Sequence, residues 1–423
     1  MSKTALVLGG GGAKGSYQVG VLEALKNLKV KYDIVTGASV GSINGAIAVL
    51  GNISTARKLW KTLTVKNVLD LSEEDTRVDI KRIIEKGGYS YGNLKSLLEK
   101  YIDEDDIRNS PIDYGLVTVK YPDMMPVYKF KEDIENGHLT DYILGSSAFF
   151  PAMRPFEILG NLYIDGGFSD NLPINMAIEK GADRVIAFDL KEIGLIKKAR
   201  NKDINIIRIS PSRDLGEVLA FDPKRAKINM KLGYLDTLKV FKEADGYYYT
   251  FKNKDISAFI KKSNLNSMIN KLLKSLPKAY RTAFLKSLEL VYRTETGKTD
   301  TPSTRDYLVY ILEYLMSLCN LPCYEIYSLK KANILINKSF KTVETESFYL
   351  VKENLLKLNL KGSLQSLVKN ANDIIKTADK KTLIKLIYEN FDSMKNKSSL
   401  ILIILAIVAP KELLSALYLK YFV

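Results

Sequence analysis

Short apolar runs alternate with amphipathic helical patterns along the first half of the chain. The runs predict β-strands at residues 4–8, 33–36, 116–120, 126–130, 162–164, 184–190 and 204–209. Helical patterns lie between several of them, for example at 17–28, 43–50 and 173–180. Apolar strands that alternate with helices are typical of a mostly parallel sheet sandwiched between helices. The pattern therefore predicts an α/β fold for this half.

The pattern changes after about residue 224, where nearly every amphipathic stretch has helical spacing. Helices are predicted at 278–292, 307–321, 364–375 and 383–391, and Gly and Pro are sparse in this part of the chain. The change from one pattern to the other lies within residues 211–245. We therefore expect two domains, an α/β domain at 1–245 and an all-helical region at 246–423.

The net charge of +15 is concentrated in the predicted helical region. Residues 1–240 contain 34 Lys and Arg against 31 Asp and Glu, whereas residues 241–423 contain 29 against 17. A basic surface indicates an anionic partner, such as phospholipid headgroups or nucleic acid, and equally fits a solvated helical surface. Because no nucleic-acid-binding motif is present in the sequence, we expect no nucleic acid partner.

Other features bear on the cellular compartment. The sequence begins without a signal-peptide pattern, and the apolar stretch at 400–409 has about half of the roughly 20 residues that cross a bilayer. Cys319 and Cys323, together with a single histidine, cannot complete a zinc site of four protein ligands. We expect a reduced, cytoplasmic protein that associates peripherally with membranes and uses no metal or cofactor. Export by a signal-independent route stays open.

A glycine-rich loop, LGGGGAKG, connects the first predicted strand to the first helix. Such a loop holds negative charge on converging backbone N–H groups, either the phosphates of a nucleotide or another anion. Gly10, Gly12 and Gly15 match the dinucleotide-binding spacing, which also requires an acidic residue at the end of the second strand. Asp33 has about the right separation, but it begins that strand. The match to a nucleotide-binding motif is therefore incomplete.

The second predicted helix begins at a G-x-S-x-G motif formed by Gly37, Ala38, Ser39, Val40 and Gly41. A sharp turn from strand to helix would hold Ser39 in a strained conformation, with its hydroxyl exposed at the end of the sheet. The two glycines leave room for that turn, and the helix N-terminus adds positive potential. We interpret Ser39 as a nucleophile, and a structural turn serine is the alternative.

A nucleophilic serine needs a general base, and the chain contains one histidine. His138 lies in a polar turn ahead of a predicted helix, where an exposed or capping residue is expected. Asp165 is the other candidate, because it follows the strand at 162–164 and precedes Gly166 and Gly167. With no side chains on the next two residues, its carboxylate can approach another backbone closely. Taken alone, an Asp-Gly pair is more typical of a simple turn.

The glycine-rich loop, the G-x-S-x-G motif and the Asp-Gly-Gly motif follow one another along the chain. In this order they resemble the motifs of the bacterial type of the patatin-like phospholipase family. The matching segments are GGGGAKGSYQVGVLEAL at 9–25, TGASVGSINGA at 36–46, SSAFFPAMRPF at 146–156 and DGGFSDNLPI at 165–174. Further agreement at 181–190 and 233–239 extends the resemblance over residues 4 to about 245. The resemblance implies a three-layer α/β/α domain that hydrolyses lipid acyl esters through a Ser–Asp dyad and an acyl-enzyme intermediate. Residues after 245 resemble no family that we recognise.

The resemblance also implies roles for individual residues. Ser39 would be the nucleophile and Asp165 the base. The implied oxyanion hole consists of Gly10, Gly11, Gly12 and Ala13, with Val40 as a further donor. The supporting motif residues are Lys14, which stands where many members carry arginine, and Gly15, Gly37, Gly41, Gly166 and Gly167. The implied substrate is a phospholipid or another acyl-ester lipid, and neither a cofactor nor a metal is implied.

Two questions stay open from the sequence. Phe149, Phe150, Met153 and Phe156 either line an acyl channel or belong to the core. The basic helical region either contacts an anionic membrane surface, for which Lys interleaved with Tyr is suited, or forms a lid or structural layer. The alternative functions are a non-catalytic membrane-surface protein and a nucleotide-binding Rossmann protein.

Overall fold

A computed structural model describes residues 2–71, 87–263, 269–270, 272–274, 276–343, 364–397 and 399–423. The chain divides into two compact units, Met1–Phe241 and Lys242–Val423. We refer to them as the N-terminal unit and the helical unit.

The N-terminal unit is built on a mixed eight-stranded sheet. Its strands are β1 (Thr4–Leu8), β2 (Ile34–Ala38), β3 (Asp113–Tyr121), β4 (Met125–Phe130), β5 (Phe156–Ile158), β6 (Asn161–Asp165), β7 (Arg184–Phe188) and β8 (Asn205–Ile209). The order is β5-β6-β3-β2-β1-β7-β8, and β4 also pairs with β3. Strands β3, β2, β1, β7 and β8 are parallel, whereas β4, β5 and β6 join in antiparallel fashion. The predicted mostly parallel sheet is confirmed, with an antiparallel extension.

Helices cover both faces of this sheet. They are α1 (Gly15–Asn27), α2 (Val40–Val49), α3 (Ile53–Trp60), α4 (Val65–Val68), α5 (Gly92–Tyr101), α6 (Glu104–Asn109), α7 (Leu139–Ser146), α8 (Ile174–Glu179) and α9 (Pro223–Val240). Ala5 and Val7 of β1 pack in one apolar cluster with residues of α8. Because side chains alternate along a strand, Leu6 and Leu8 lie on the opposite face, where they are also fully buried. The sheet is therefore sandwiched, as predicted.

Helix α9 packs along α1 and closes the unit. The Tyr17 hydroxyl of α1 donates a hydrogen bond to Asp236 Oδ2 of α9 over 3.0 Å, and both side chains are buried. Lys239 forms an ion pair with the same carboxylate at 2.8 Å, so the buried charge has a partner. Residues 233–239, which agree with the family's closing helix, lie in α9. The contact anchors the helix that follows the glycine loop.

The helical unit is dominated by helices that surround its own apolar core. They include α10 (Asp255–Lys262), α11 (Lys278–Thr296), α12 (Thr304–Leu318), α13 (Leu329–Lys341), α14 (Leu364–Thr377), α15 (Lys380–Lys397), α16 (Ser399–Val408) and α17 (Pro410–Phe422). The expectation of an all-helical region needs one correction. A small sheet is present, formed by β9 (Ala244–Asp245), β10 (Thr250–Lys252) and β11 (Ile326–Tyr327). Strands of two or three residues are too short to leave an alternating pattern in the sequence.

A buried carboxylate organises the segment between β9 and β10. Glu313 Oε1 accepts hydrogen bonds from three successive backbone N–H groups, those of Tyr247, Tyr248 and Tyr249, at 2.6, 2.9 and 3.1 Å. These bonds tie the small sheet to helix α12, which contributes Glu313.

The apolar C-terminal helices bear on membrane crossing. No single helix within the described ranges is both long and apolar enough to span a membrane. The pair Ile401–Val408 and Pro410–Phe422, bent by 114°, satisfies length and composition only when taken together.

Candidate active site

Strand β3 brings two distant strand ends to one place. Ala38, the last residue of β2, pairs with Val117, and Asp165, the last residue of β6, pairs with Thr118. Val117 and Thr118 are consecutive residues of β3. Strand β2 runs parallel to β3, and β6 runs antiparallel to it. The register therefore places Ser39, directly after β2, and Asp165 at the same level on either side of β3, and the Ser39 hydroxyl contacts the Asp165 carboxyl.

Ser39 occupies a strained turn between β2 and α2. Its φ and ψ of 54° and −133° lie outside the regions that non-glycine residues ordinarily adopt. Its backbone N–H donates to Ser146 Oγ over 3.0 Å, and that hydroxyl donates in turn to the Val117 carbonyl over 2.7 Å. The surrounding bonds thus hold Ser39 in the conformation that the G-x-S-x-G motif predicts.

Close packing under Ser39 requires glycine. A Cβ on Gly41, in the first turn of α2, would lie 2.1 Å from the Leu8 carbonyl oxygen at the end of β1. A side chain on Gly15, Gly37, Gly166 or Gly167 would likewise place its first carbon under 3.0 Å from a neighbouring atom. Gly37, Gly41 and Gly166 thus let backbone segments approach one another directly, whereas Gly15 and Gly167 leave room for neighbouring side chains.

Asp165 is buried and its environment favours the neutral carboxyl. The residue is 3% exposed. Burial raises the pKa of Asp165 to about 6, although hydrogen bonds from the Ser39 hydroxyl and the Gly167 N–H lower it. Gly167 N–H donates to Oδ1 over 2.7 Å. Oδ2 has no partner of ordinary hydrogen-bond geometry among the described residues, so the contact with Ser39 is a loose one. An available carboxylate oxygen beside a serine hydroxyl suits a general base.

The glycine loop lies against Ser39, but only some of its N–H groups are available. A Cβ on Gly10 would come within 2.9 Å of the Ser39 Cβ. Gly10 N–H donates to both the carbonyl and the side-chain oxygen of Asn171, each over 3.2 Å, and Ala13 N–H donates to the Val218 carbonyl over 2.7 Å. The expected oxyanion donors Gly10 and Ala13 are therefore engaged elsewhere.

Gly11 and Gly12 remain as candidate donors. Within the described part of the chain, their backbone N–H groups have no hydrogen-bond acceptor. Both residues line the same cavity as Ser39. Gly12 has a φ of 51°, and a Cβ there would lie 2.3 Å from the Val218 carbonyl oxygen, so this position needs glycine.

Polar side chains that sequence reasoning did not identify support the loop. Gln18 Nε2 donates to the Gly9 carbonyl over 2.6 Å, and Asn44 Nδ2 donates to Gln18 Oε1 over 2.8 Å. Lys14 forms a largely buried ion pair with Glu192. This ion pair connects the loop to the segment after β7. Gln18 and Asn44 lie within the matching motifs, but their bonds depend on contacts between different elements.

Ser39 and Asp165 border an apolar cavity of about 650 Å³. Its wall is formed mainly by aliphatic and aromatic side chains, including Ile43 and Ile47 of α2 and Leu94 and Leu98 of α5. Its size is within the range of small-molecule sites. The site is thus a polar pair at the edge of an apolar chamber.

The four residues left open from the sequence divide between two environments. Phe149, Phe150 and Met153 line the cavity. Phe156 does not line it, and its ring packs against Tyr91 with 4.8 Å between the centroids.

The structure places His138 and Asp33 away from this chemistry. His138 occupies the N-cap position of α7, but its side chain makes no capping hydrogen bond to the helix backbone, and its Nδ1 lies 2.9 Å from Asp141 Oδ2 instead. It is absent from the described residues that line the cavity. Asp33 Oδ2 accepts a hydrogen bond from the backbone N–H of Thr4, at the start of β1, whereas the glycine loop follows the end of β1. Asp33 therefore cannot serve the loop as the dinucleotide motif requires.

Part of the chain is similar in sequence to known proteins. Residues 6–178 match the family model described as patatin-like phospholipase. Patatin-like phospholipase domain-containing protein 7 of Rattus norvegicus is 31% identical over 196 residues, which cover 44% of this chain and 13% of that protein. Lysophospholipase NTE1 of Mycosarcoma maydis is 26% identical over 247 residues, which cover 56% of this chain and 12% of that protein. Residues 6–178 thus resemble a patatin-like phospholipase domain, and the matched region spans about an eighth of the length of these relatives.

Solved structures align along most of the chain at low similarity. VipD from Legionella pneumophila has 14% identity and a TM-score of 0.37, with 97% of this chain and 91% of that chain covered. The type III effector ExoU has 12% identity and a TM-score of 0.32, with 97% and 94% covered. No family model matches the C-terminal half.

Proposed function

We propose that the protein is a serine carboxylic-ester hydrolase that cleaves fatty-acyl esters of lipids. The main support is the placement of Ser39, in a strained strand-to-helix turn, beside the buried carboxyl of Asp165 at the edge of an apolar cavity. The names of the related proteins, phospholipases and lysophospholipases, point to the same chemistry. The apolar wall suits an acyl chain, and the substrate is a phospholipid or another acyl-ester lipid.

The proposed reaction has two halves. Asp165 accepts the proton of the Ser39 hydroxyl while Oγ bonds to the ester carbonyl carbon. The resulting oxyanion is stabilised by the N–H groups of Gly11 and Gly12, with that of Val40 at the start of α2. The tetrahedral intermediate expels the alcohol, which takes the proton from Asp165 and leaves an acyl-enzyme. Water then loses a proton to Asp165 and attacks the acyl carbon. The second tetrahedral intermediate expels Ser39 Oγ, which takes that proton from Asp165, and the fatty acid is released.

The raised pKa of Asp165 makes it an effective base. A carboxylate with a pKa near 4 is a weak proton acceptor, whereas one with a pKa of about 6 is closer to the working pH. At about pH 7 the group is still roughly 90% ionised, so the reactive form predominates. Burial therefore strengthens the base without removing its charge.

We also propose that the protein works at a membrane surface in the cytoplasm. The helical unit carries most of the chain's excess positive charge, and anionic headgroups would complement it. Substrates of this class reside in membranes, so a peripheral association would bring the enzyme to them.

Hydrolysis of a panel of phospholipids, lysophospholipids and neutral esters, with products identified by mass spectrometry, tests the proposal. Wild type should release fatty acid from at least one lipid class. Ser39→Ala and Asp165→Asn should each lose about a thousandfold or more of the activity while keeping the circular dichroism spectrum. His138→Ala is the matched control and should remain active. Full activity in Asp165→Asn together with loss in His138→Ala would refute the dyad and indicate a histidine base.

A further inference from the structure

A short segment after β7 crosses the entrance of the cavity, and we call residues 191–198 the rim strap. Its backbone is anchored to the site at Leu195, whose N–H donates to the Gly167 carbonyl over 3.2 Å and whose carbonyl accepts from Asn171 N–H over 2.6 Å. The ion pair of Glu192 with Lys14 ties its beginning to the glycine loop. The rim strap is therefore held in place by the same loops that hold Ser39 and Asp165.

Although the backbone of the rim strap is anchored, its three apolar side chains, Ile193, Leu195 and Ile196, face solvent. Ile193 is fully exposed, Leu195 is 63% exposed and Ile196 is 40% exposed. Phe149 and Phe168, which stack with 6.4 Å between their ring centroids, are also more than a third exposed. Four of these five residues, Ile193, Leu195, Phe149 and Phe168, border the cavity that contains Ser39. The entrance thus has a continuous apolar edge, of a kind that marks an interaction surface.

The segment that carries this edge is rich in basic residues, of which Arg200 is paired with Glu179 and Lys197 lies near Asp170. Residues 191–202 contain five Lys or Arg and one acidic residue, Glu192, which is already paired with Lys14. Lys191, Lys197 and Lys198 are exposed. The Lys197 ammonium lies 5.0 Å from the centre of the Tyr128 ring and donates to the Tyr128 hydroxyl. Apolar side chains flanked by Lys and Tyr are suited to the boundary between headgroups and acyl chains.

We propose that the rim strap is the membrane-contact element of the catalytic domain. Ile193 and Leu195 enter an anionic bilayer surface, and Lys191 and Lys198 contact its headgroups. An acyl chain can then pass from the bilayer into the cavity along the apolar edge without crossing water. The inference rests on the proposed function for the identity of the substrate. It places a membrane contact on the N-terminal unit, whereas net charge alone would place that contact on the helical unit.

Vesicle binding by the full-length Ser39→Ala protein tests the proposal without interference from hydrolysis. The probes are vesicles of phosphatidylcholine and phosphatidylglycerol in equal parts, and vesicles of phosphatidylcholine alone. Adding Ile193→Asp and Leu195→Asp should weaken co-sedimentation with the anionic vesicles by about tenfold or more. The matched control is Leu290→Asp with Ile334→Asp, which changes two exposed apolar residues of the helical unit and should bind as the parent does.

Two further measurements sharpen the result. Lys191→Gln with Lys198→Gln should weaken binding to the anionic vesicles and leave binding to phosphatidylcholine unchanged. A tryptophan at the strap, Ile193→Trp, should shift its emission to the blue when vesicles are added. The Ser39→Ala parent is measured in parallel, because its one tryptophan, Trp60, is buried but lines the cavity. This variant keeps an apolar side chain, so it reports on the strap even if the aspartate variant fails to fold.

Unchanged vesicle binding by the Ile193→Asp/Leu195→Asp protein, or unshifted emission from the new tryptophan, would overturn the proposal. Equal loss in the helical-unit control would also overturn it, because the effect would then not belong to the strap. Failure of the proposed function has a different signature. In that case wild type would hydrolyse no ester, while the Ser39→Ala binding measurements would still give their own answer.

Discussion

Protonation of Asp165 should stop ester hydrolysis at a pH well above that at which an exposed aspartate loses its charge. Burial raises the pKa of this carboxyl from 3.8 to about 6. The shift of about two pH units corresponds to about 3 kcal/mol of preference for the neutral form in the folded protein. Because the base must be ionised to accept the Ser39 proton, activity should increase with pH through about 6 and then level off.

The expected size of the effect follows from the ionised fraction. At about pH 5 a carboxyl with a pKa of about 6 is roughly one tenth ionised, whereas an ordinary aspartate is more than about nine tenths ionised. The kcat/KM at about pH 5 should therefore be about tenfold below its value at about pH 7. Each further pH unit of acidification should lower it about another tenfold, until the protein unfolds.

The assay is kcat/KM for a monomeric short-chain ester, with products separated by chromatography so that their ionisation does not affect detection. A monomeric substrate removes the contribution of membrane binding. His138→Ala should show the same profile, and so should Asp170→Asn, which removes a neighbouring buried carboxyl whose pKa burial also raises. Activity must return when the pH is restored to about 7, which separates protonation from unfolding.

Direct titration provides an independent check. The Ser39 hydroxyl lowers the pKa of Asp165, so Ser39→Ala should raise that pKa further, as carbon-13 NMR of labelled aspartate carboxyls would record. A flat rate profile down to about pH 4, where an ordinary aspartate is about half ionised, would refute the buried base. So would an inflection that disappears in His138→Ala.

Three further predictions concern stability and the supporting contacts. Because the folded state prefers neutral Asp165, the free energy of unfolding of the wild type falls as the pH rises from about 4 through about 6. Asp165→Asn should therefore be more stable than the wild type by up to about 3 kcal/mol at about pH 8, with little difference below about pH 4. Urea unfolding measures this difference. Asn171→Ala removes the side-chain acceptor of Gly10 N–H and so loosens the loop that presents the Gly11 and Gly12 N–H groups to the oxyanion. It should lower kcat by about tenfold or more with little change in KM, whereas an unchanged kcat would show that the backbone bond suffices. Gly41→Ala forces a Cβ against the Leu8 carbonyl and should destabilise the protein by about 2 kcal/mol or more in urea, and a neutral effect would contradict the close packing of α2 on β1.

Local patterns in the sequence predicted much of the N-terminal unit. Strand β1 has the same bounds in the structure as in the prediction, and the strand predicted at 162–164 is the centre of β6. The turn at Ser39 follows from residues adjacent in the chain, because two glycines and a strand-to-helix change suffice to define it. The small sheet of the helical unit could not be predicted in this way, because strands of two or three residues are too short to show an alternating pattern.

The site required more than local pattern. The sequence pointed to Ser39 and Asp165 as separate motifs, and their joint role rested on a resemblance. The pairing of Ala38 and Asp165 with consecutive residues of β3 is a physical reason for their proximity, and it depends on strand register across the sheet. The hydrogen bonds from Gly10 N–H to Asn171 similarly depend on contact between two loops that are far apart in the chain. The prediction from sequence therefore included N–H groups as oxyanion donors that other acceptors already bind.

The sequence by itself therefore determined the local conformations, because apolar periodicity and glycine placement act over a few neighbouring residues. The tertiary structure alone decided which N–H groups remain free, how strongly Asp165 resists ionisation and where apolar side chains meet solvent. Each of these depends on desolvation and on hydrogen bonds between segments far apart in the chain. The pKa of Asp165 is raised to about 6 by burial among residues that do not belong to its own motif. The apolar edge of the rim strap exists for the same reason, since only the folded backbone holds Ile193 and Leu195 away from the core.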